Sequence, residues 1–515
     1  MDMNDDKTKN TIFGEGLTNA QVTQIIVSNA VTSDTIRDIE LADEYYEGHN
    51  KEIEKKTNVY YDKDGKAIPN PKASNVKHNS QFLRVLVQQK QDYGFAKTFN
   101  LKVSTDTETE VDLKTDPYGK RWKDFCDGQL FKLSYKLAGQ AVNHGLAWAY
   151  VWIDGNGEFK LKDVPSNLVY PVWTDRNHEA LDRLVYNYTI ARYDALNPIV
   201  TEYAEYWDDD VRELFSVTDG YRKVPMVVDD AGNPVDSHMV GENGGVSWGR
   251  IPFIVLKGTD DERTLLSFIK RFIDTYDMLD SRSADGLLDD LDPLLIFKGV
   301  SPDVNDLLEA REIAKMTRTM SLDTDGDAYF VQAQTQIDAY QKKMESIRRD
   351  IIKFGYGVDY EDLRFNGNPN QMVIKSLYQN LDGYTDGLER HFQDFVDDVK
   401  YFFDKWWEMS GFGTFEEAQK YKVLVKLDRS MMINISQMIE DTARLRDTGV
   451  SQRTIHEYNP VVQDVDVEEE RVKEERREEM REGEVFDFGN SKDVSIQSKQ
   501  TDVQRKDVEE EVKNG

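Results

Sequence analysis

The sequence predicts an α+β fold, mainly helical, and three observations carry that prediction. Apolar residues recur every three or four positions through 259–291, 335–354 and from 372 onward, the period of helices with one buried stripe. Between 145 and 260 the pattern changes to short aromatic and β-branched runs punctuated by turn residues, the mark of strands. The long helices come in a fixed order: one helix, a compact insert, a returning helix, a loop rich in glycine, then a third helix. With 515 residues, 39% hydrophobic and 11% aromatic, the chain is long and apolar enough for a substantial core.

Residues 1–34 are polar and weakly periodic, and are expected to form an N-terminal segment that is partly disordered. A helix is predicted from Thr35, with Ile36, Ile39, Leu41 and Tyr45 on one side and an end near "YYEGHN". The stretch "YYDKDGKAIPNP" reads as a hairpin turning at Asp64-Gly65. A second helix follows, with Phe82, Val85, Leu86 and Tyr93 at helical spacing. In "GLAWAYVWIDGNGEFKLKDV" two strands meet at a Gly-Asn-Gly turn, and further strands run to "GRIPFIVLKG". Thr259 is the expected N-cap of the next helix, with Asp260, Asp261 and Glu262 at the positive end of its dipole. Its buried stripe is Leu265, Leu266, Ile269, Phe272, Ile273, Tyr276 and Leu279, and if helical throughout it would span roughly 40 Å. Pro293 ends it. Residues 292–334 read as a strand, a helix at 303–315, a turn and a strand. The helix of 335–354 then returns.

The loop "FGYGVDYEDLRFNGNPNQM" is longer than compact domains usually leave without structure. Its glycines, Gly355, Gly357 and Gly367, would let the backbone take conformations that other residues resist. Phe354, Tyr356, Tyr360 and Phe365 would press on something, and Asp359, Glu361 and Asp362 would keep the loop from gripping phosphates. The third helix is followed by the strand "YKVLVKLD", a helical pair with Gly449 as C-cap and Ser451 as N-cap, a charged helix, and a polar tail at 484–515 expected to be disordered.

The chemistry of most enzymes is missing from this pattern. The seven histidines are scattered, none three or four residues from another, which disfavours a zinc site. "DTDGDAYF" has its glycine out of register for a calcium loop. Asp289, Asp290 and Asp292 read as a solvated helix end rather than a metal cluster. No phosphate-binding loop or nucleophile elbow occurs, so neither cofactor nor metal is expected. Cys126, the only cysteine, sits among acids and is expected to be buried and inert in a reducing compartment. No apolar run suggests a leader or a membrane span. The formal charge of −31 is opposite to that of proteins that grip nucleic acid by its phosphates. One local exception exists. Lys342, Lys343, Arg348, Arg349 and Lys353 cluster on the returning helix, either bridging acids of the first helix or facing phosphates.

The colinear set of pieces resembles the portal proteins of long-tailed bacteriophages of the siphophage type. "ADEYYEGHNKEI", "NVKHNSQFLRVLVQQKQDYGFAK", the β-rich "NHGLAWAYVWIDGNGEFKLKDVPSNLVYPVW", the stretch from Gly249 to Gly299, "NGNPNQMVIKSLYQNLD" and "GVSQRTIHEYNPVVQDVDVEEERVKEE" each resemble successive parts of that family. The likeness runs from about residue 35 to 480, although Asn370 and Gln371 stand where the family often has Ser-Gly. The resemblance implies a non-enzymatic portal fold assembled as a ring. Its parts would be a wing (35–258), stem helices (259–291 and 335–354), a clip (292–334), a tunnel loop (355–371), a tunnel helix with a return to the wing (372–430) and a crown (431–483). It implies twelve copies around a channel at one capsid vertex of the virion, assembled in the host cytoplasm. Double-stranded DNA would pass through without sequence recognition. The implied partners are the terminase large subunit, a head-completion or adaptor protein, and the major capsid and scaffolding proteins, with no membrane. Twelve copies would carry roughly 370 negative charges, a surface on which DNA slides rather than sticks. Two other readings of the residues stay open: a carboxylate-dependent hydrolase with a β-rich domain, and a scaffold or interaction protein without a channel.

Overall fold

The computed structural model describes residues 16–289, apart from short breaks at 62–63, 71–72, 106–109, 195–196, 227–234 and 242–243, then 294–298, 327–331, 337–359, 371–429, 444–459 without 447, and 468–477, with a few single positions besides. The chain divides into two compact units. One is Met1–Arg364 with Leu377–Met431; the other is Phe365–Ser376 with Met432–Gly515. Secondary structure mixes long helices with short sheets, as the composition of periods predicted. Among the described residues no helix is long and apolar enough to cross a membrane.

The first unit opens with a helix the sequence reading left out. Helix α1 (Asn19–Val31) begins at a capping box in which Thr18 and Gln21 satisfy each other's backbone N–H groups. It buries Val22, Ile26, Val27 and Ala30, which explains why a segment of such polar composition is ordered. Helix α2 (Asp34–Glu47) starts at Ser33 and ends at Gly48, whose φ of 90° only glycine adopts at low cost. A short helix α3 (Lys51–Glu54) and the hairpin β1 (Val59–Tyr61) to β2 (Ala67–Pro69) follow, the latter turning at Gly65 as expected. Helix α4 (Phe82–Phe95) buries Leu83, Leu86, Val87, Lys90 and Tyr93. The predicted face was rotated by about one residue: Val85 is exposed and Lys90 is inside. Strand β3 (Asn100–Ser104) precedes α5 (Pro117–Phe125) and α6 (Phe131–His144), which are joined by a π-helical turn at Cys126–Leu130. That turn carries the buried Cys126, and burial pushes its thiol up, away from the thiolate.

Strands β4 (Leu146–Ile153) and β5 (Phe159–Val164) form the predicted hairpin, with Gly157 in the left-handed region. Strand β6 (Val169–Trp173) leads into a long ribbon of β7 (Leu181–Asp194) and β8 (Asn197–Trp207), then β9 (Arg212–Ser216), β10 (Arg222–Val224), β11 (Met239–Gly241), β12 (Gly244–Val246) and β13 (Phe253–Lys257). They make a three-stranded sheet ordered β13-β4-β5, a five-stranded sheet ordered β10-β9-β8-β7-β6 and a separate β11-β12 pair, all antiparallel. Helix α1 lies on the second sheet.

Helix α7 (Leu265–Asp289) has 25 residues, roughly 37 Å, and its buried stripe is the predicted one. Its start differs from the expectation. Thr259 spends its hydroxyl on Asp261 at 2.7 Å, and Thr264 caps the helix instead, accepting from the Ser267 N–H. The intervening Glu262 takes a φ of 53° and pairs with His178 and Lys257, which holds residues 258–264 as a turn against the β-rich part. Strands β14 (Leu294–Lys298) and β15 (Asp327–Val331) pair antiparallel where the clip strands were expected. The helix and turn expected between them lie outside the described residues. Helix α8 (Ile337–Phe354) packs on α7, with Ile347 and Ile351 buried against Ile269 and Ile273 in one core and Phe354 stacked on Phe272 at 5.3 Å.

One contact sets where α7 sits. Asp277, Ser281 and Asp285 recur every four residues on its buried polar face, about 6 Å apart. They accept the backbone N–H groups of Ser80, His78 and Val76 in turn, at 3.0, 3.0 and 2.7 Å. Alternate residues of an extended chain are about 6.6 Å apart, so the segment 76–80 pairs with a helix face as it would with a strand. The Lys56 ammonium completes this ladder on Asp285.

Helix α9 (Gln371–Met409) has 39 residues. From Leu381 on it carries the centre of the core, Leu388, Phe392, Phe395, Val399, Phe403 and Trp406. Phe403 meets Trp122, Phe159 and Trp406 at centroid distances of 4.6, 5.4 and 5.1 Å. A short helix α10 (Phe415–Ala418) leads to β16 (Lys422–Lys426), which pairs antiparallel with β3. In the second unit, α11 (Gln452–Tyr458) starts at Ser451 as predicted, and Gly449 before it is left-handed. Residues 468–477 are helical, and Arg476 reaches Gln452 at 3.0 Å. The tail at 484–515 lies outside the described residues.

Candidate functional site

The residues singled out by sequence lie on α8 and on the chain that leaves it. The exit is built by the helix end itself. Gly357 N–H donates to Ile352 O at 2.8 Å and Tyr356 N–H to Lys353 O at 3.3 Å, the paired bonds of a Schellman ending. The left-handed position belongs to Tyr356, with φ of 52°, and to neither flanking glycine. This corrects the expectation that Gly355 and Gly357 supply unusual backbone angles.

Their role is close approach. A Cβ on Gly355 would lie 2.6 Å from Leu86 Cδ1, and one on Gly357 would lie 2.3 Å from Leu86 Cδ2. Helix α4 therefore presses on this segment with only glycine-sized space. The contact is also hydrogen-bonded. The Gln89 side-chain amide donates to Val358 O at 2.9 Å and accepts from Val358 N–H at 3.1 Å, a pairing like that between strands. Lys90 Nζ donates to Gly355 O and, at 3.2 Å, to Leu86 O. The Tyr356 ring sits 5.4 Å from that of Tyr384 on α9. Replacing Gly357 with Ala is expected to cost about 1–3 kcal/mol by overpacking, and Leu86→Ala in the same chain to recover part of it. A double-mutant cycle by denaturant unfolding checks this, and a fully additive pair would refute the contact as the cause.

Asp359 is not a repelling acid at the surface. Its carboxylate is only 10% exposed and accepts from Arg348 at 2.7 Å. Phe354, Gly355, Tyr356, Gly357 and Asp359 thus form an anchored root rather than a free loop. Tyr360, Glu361, Asp362 and Phe365, with Gly367, lie outside the described residues.

The basic cluster divides. Arg348 turns toward Asp359 and engages its guanidinium at the loop root. Lys342, Arg349 and Lys353, at i, i+7 and i+11, share the face opposite the buried Ile347 and Ile351, and all three are exposed. Lys343 is exposed to one side of them. Lys342, Lys343 and Arg349 have no ion-pair partner among the described residues, and Lys353 lies 5.8 Å from the Phe354 ring centroid. The sequence reading placed these four, with Arg348, on the returning helix. It missed Leu86, Gln89 and Lys90, some 265 residues away in the chain, for which the only signal was a lysine and a glutamine on an otherwise apolar helical face.

The site thus consists of a long helix, a strand pair, a packed returning helix with a basic face, an anchored loop root and a still longer helix. Residues 29–482 match the family described as phage portal protein, SPP1 Gp6-like, and the chain belongs to that family. It is 23% identical to the portal protein of Bacillus phage SPP1 over 455 residues, 87% of this chain and 86% of the relative. It is also 23% identical to the portal protein of Clostridium phage phiCD119 over 384 residues, covering 71% and 79% respectively. It is a phage portal protein, and neither of the two other readings of the sequence is favoured by these relatives.

Proposed function

We propose that the chain assembles as a ring of twelve copies at one vertex of the phage capsid, with a central channel for packaging and ejecting double-stranded DNA. The observation that carries this reading is the match to the portal family from residue 29 to 482, colinear with the order of helices described above. In that reading α7 and α8 are the stem, β14 and β15 belong to the clip, residues 35–258 are the wing, the chain after Phe354 is the tunnel loop, α9 is the tunnel helix, and residues 431–483 form the crown. The terminase large subunit, a head-completion or adaptor protein, and the capsid and scaffolding proteins are its partners, and it requires no cofactor. ATP hydrolysis belongs to the terminase. Lys342, Lys343, Arg349 and Lys353 supply weak, sequence-blind phosphate contacts within an otherwise acidic ring.

Negative-stain images with light-scattering mass on the purified chain test the ring directly. Closed particles of about twelve subunits with a central hole are expected; a monomer that persists with packaging partners present would refute the reading. Reversing Lys342, Arg349 and Lys353 to Glu is expected to lower the DNA retained per capsid without unfolding the chain. Arg348→Glu is expected instead to loosen the loop root through Asp359, read as a lower unfolding midpoint.

A further inference from the structure

We propose that Gln89 and Lys90 are positioning residues that hold the root of the tunnel loop on α4, and that Lys90 is the group through which solution pH sets how often that root opens. This rests on reading the chain beyond Phe354 as the tunnel loop. Were that root free, the loop would swing from the end of α8. Held as it is, the chain stays fixed on α4 and α8 from Gly355 through Asp359.

Three kinds of contact converge on Gly355, Gly357, Val358 and Asp359. Gln89 pairs both backbone groups of Val358, Leu86 fills the space that Gly355 and Gly357 leave, and Arg348 holds Asp359. Lys90 differs from the others in being ionisable with no compensating acid among the described residues. Its side chain is fully buried, its amine meets two carbonyls and the Tyr384 ring at 5.3 Å, and it has no ion-pair partner among the described residues. The charged groups on the surrounding elements are engaged elsewhere. Asp92 on α4 takes the Tyr135 hydroxyl, and Asp382 on α9 takes Tyr93 and Arg429. Asp359 is held by Arg348, and Lys353 is exposed. Burial first, then Tyr356 and Asp261 in the turn before α7, raise the Tyr384 hydroxyl, so that ring faces Lys90 neutral.

Burial alone lowers the Lys90 amine from its ordinary 10.5 to about 7. The closed root therefore disfavours the proton, whereas an opened root lets water solvate the ammonium. Opening becomes easier as pH falls from about 10.5 and levels off below about 7. Between pH 9 and pH 7 the ratio of open to closed root should rise roughly 50-fold. The neutral amine still donates to Gly355 O, so the hold persists at high pH and is strongest there.

Hydrogen exchange at the Gly355, Gly357 and Val358 amides of the full chain, divided by the intrinsic rate at each pH, reads this opening directly. The wild type should show the 50-fold rise from pH 9 to pH 7, and Lys90→Met should be flat. Gln89→Ala should raise opening roughly tenfold at every pH while keeping the slope, since it removes two hydrogen bonds and leaves Lys90 in place. The Phe395 amide in the core reports whether each variant is folded. A flat wild type, or a slope that survives in folded Lys90→Met, would overturn the role of Lys90. Should Lys90→Met not fold, unchanged exchange at Val358 in Gln89→Ala would overturn the hold itself. These readings do not depend on whether the loop lines a channel, which ring imaging tests separately.

Discussion

Lys56→Ala is expected to destabilise the first unit by about 3–5 kcal/mol, because it strands a buried carboxylate. Lys56 and Asp285 are 5% and 9% exposed, and Asp285 also accepts from Val76 N–H at 2.7 Å and Asn58 at 3.1 Å. Asp285 cannot follow its lost partner into water without breaking the ladder between segment 76–80 and α7. Burial by itself would raise the Asp285 carboxyl. Lys56, the Val76 N–H and Asn58 together outweigh it and hold the carboxyl below its ordinary value. A carboxylate lowered in this way stabilises the fold above the unfolded value of about 3.9 and loses that contribution as pH falls further. The gap between wild type and Lys56→Ala in urea unfolding should therefore be full at pH 7 and shrink below about pH 4. Pairing Lys56→Ala with Asp285→Asn, which keeps an acceptor for the Val76 N–H without the stranded charge, should recover part of the loss. A single variant as stable as wild type at pH 7 would mean that water reaches Asp285 after all.

Gly145→Ala is the second large effect, expected to cost about 3–5 kcal/mol. Its φ of 87° strains any other residue by about 1–3 kcal/mol. Its Cβ would also lie 2.2 Å from Glu262 O and 2.7 Å from Arg263 C, main-chain atoms that no rotamer change moves aside, adding about 1–3 kcal/mol. Opposite it, Gly258 donates its N–H to Gly145 O at 2.8 Å, and a Cβ there would meet Ala141 O at 2.2 Å. The end of α6, the start of β4 and the turn before α7 thus touch backbone to backbone. Gly155→Ala, with nothing within 4 Å of a new Cβ, is the control and should change the unfolding free energy by less than about 0.5 kcal/mol. Equal losses at the two positions would remove the steric explanation.

The elements that sequence reading recovered share one property: their signals are local. The stripes of α7 and of α9, the hairpin turns at Gly65 and Gly157, the C-cap at Gly48 and the N-cap at Ser451 are each written within a few residues. Even α1 had such a signal in its Thr18–Gln21 capping box, masked by a polar composition. The misplaced start of α7 shows the limit. Thr259 followed by three acids is a sound cap by propensity, but His178 and Lys257 claim Glu262 and leave the cap to Thr264. Strand β3 went unread because its partner, β16, lies more than 300 residues away.

The candidate site divides along the same line. The sequence grouped Lys342, Lys343, Arg348, Arg349 and Lys353 on one helix, and 3.6 residues per turn puts Lys342, Arg349 and Lys353 on one face of it. Period and turn chemistry likewise settled that the chain is mainly helical with a β-rich insert, and that a glycine-rich connection links α8 to α9. Tertiary structure decided what those glycines do, where Arg348 points and why a lysine stands inside α4. The glycines and the lysine depend on groups that meet across 260 residues or more, and Arg348 on an acid past the end of its own helix; desolvation, close contact and hydrogen-bond pairing act only once the chain has brought them together.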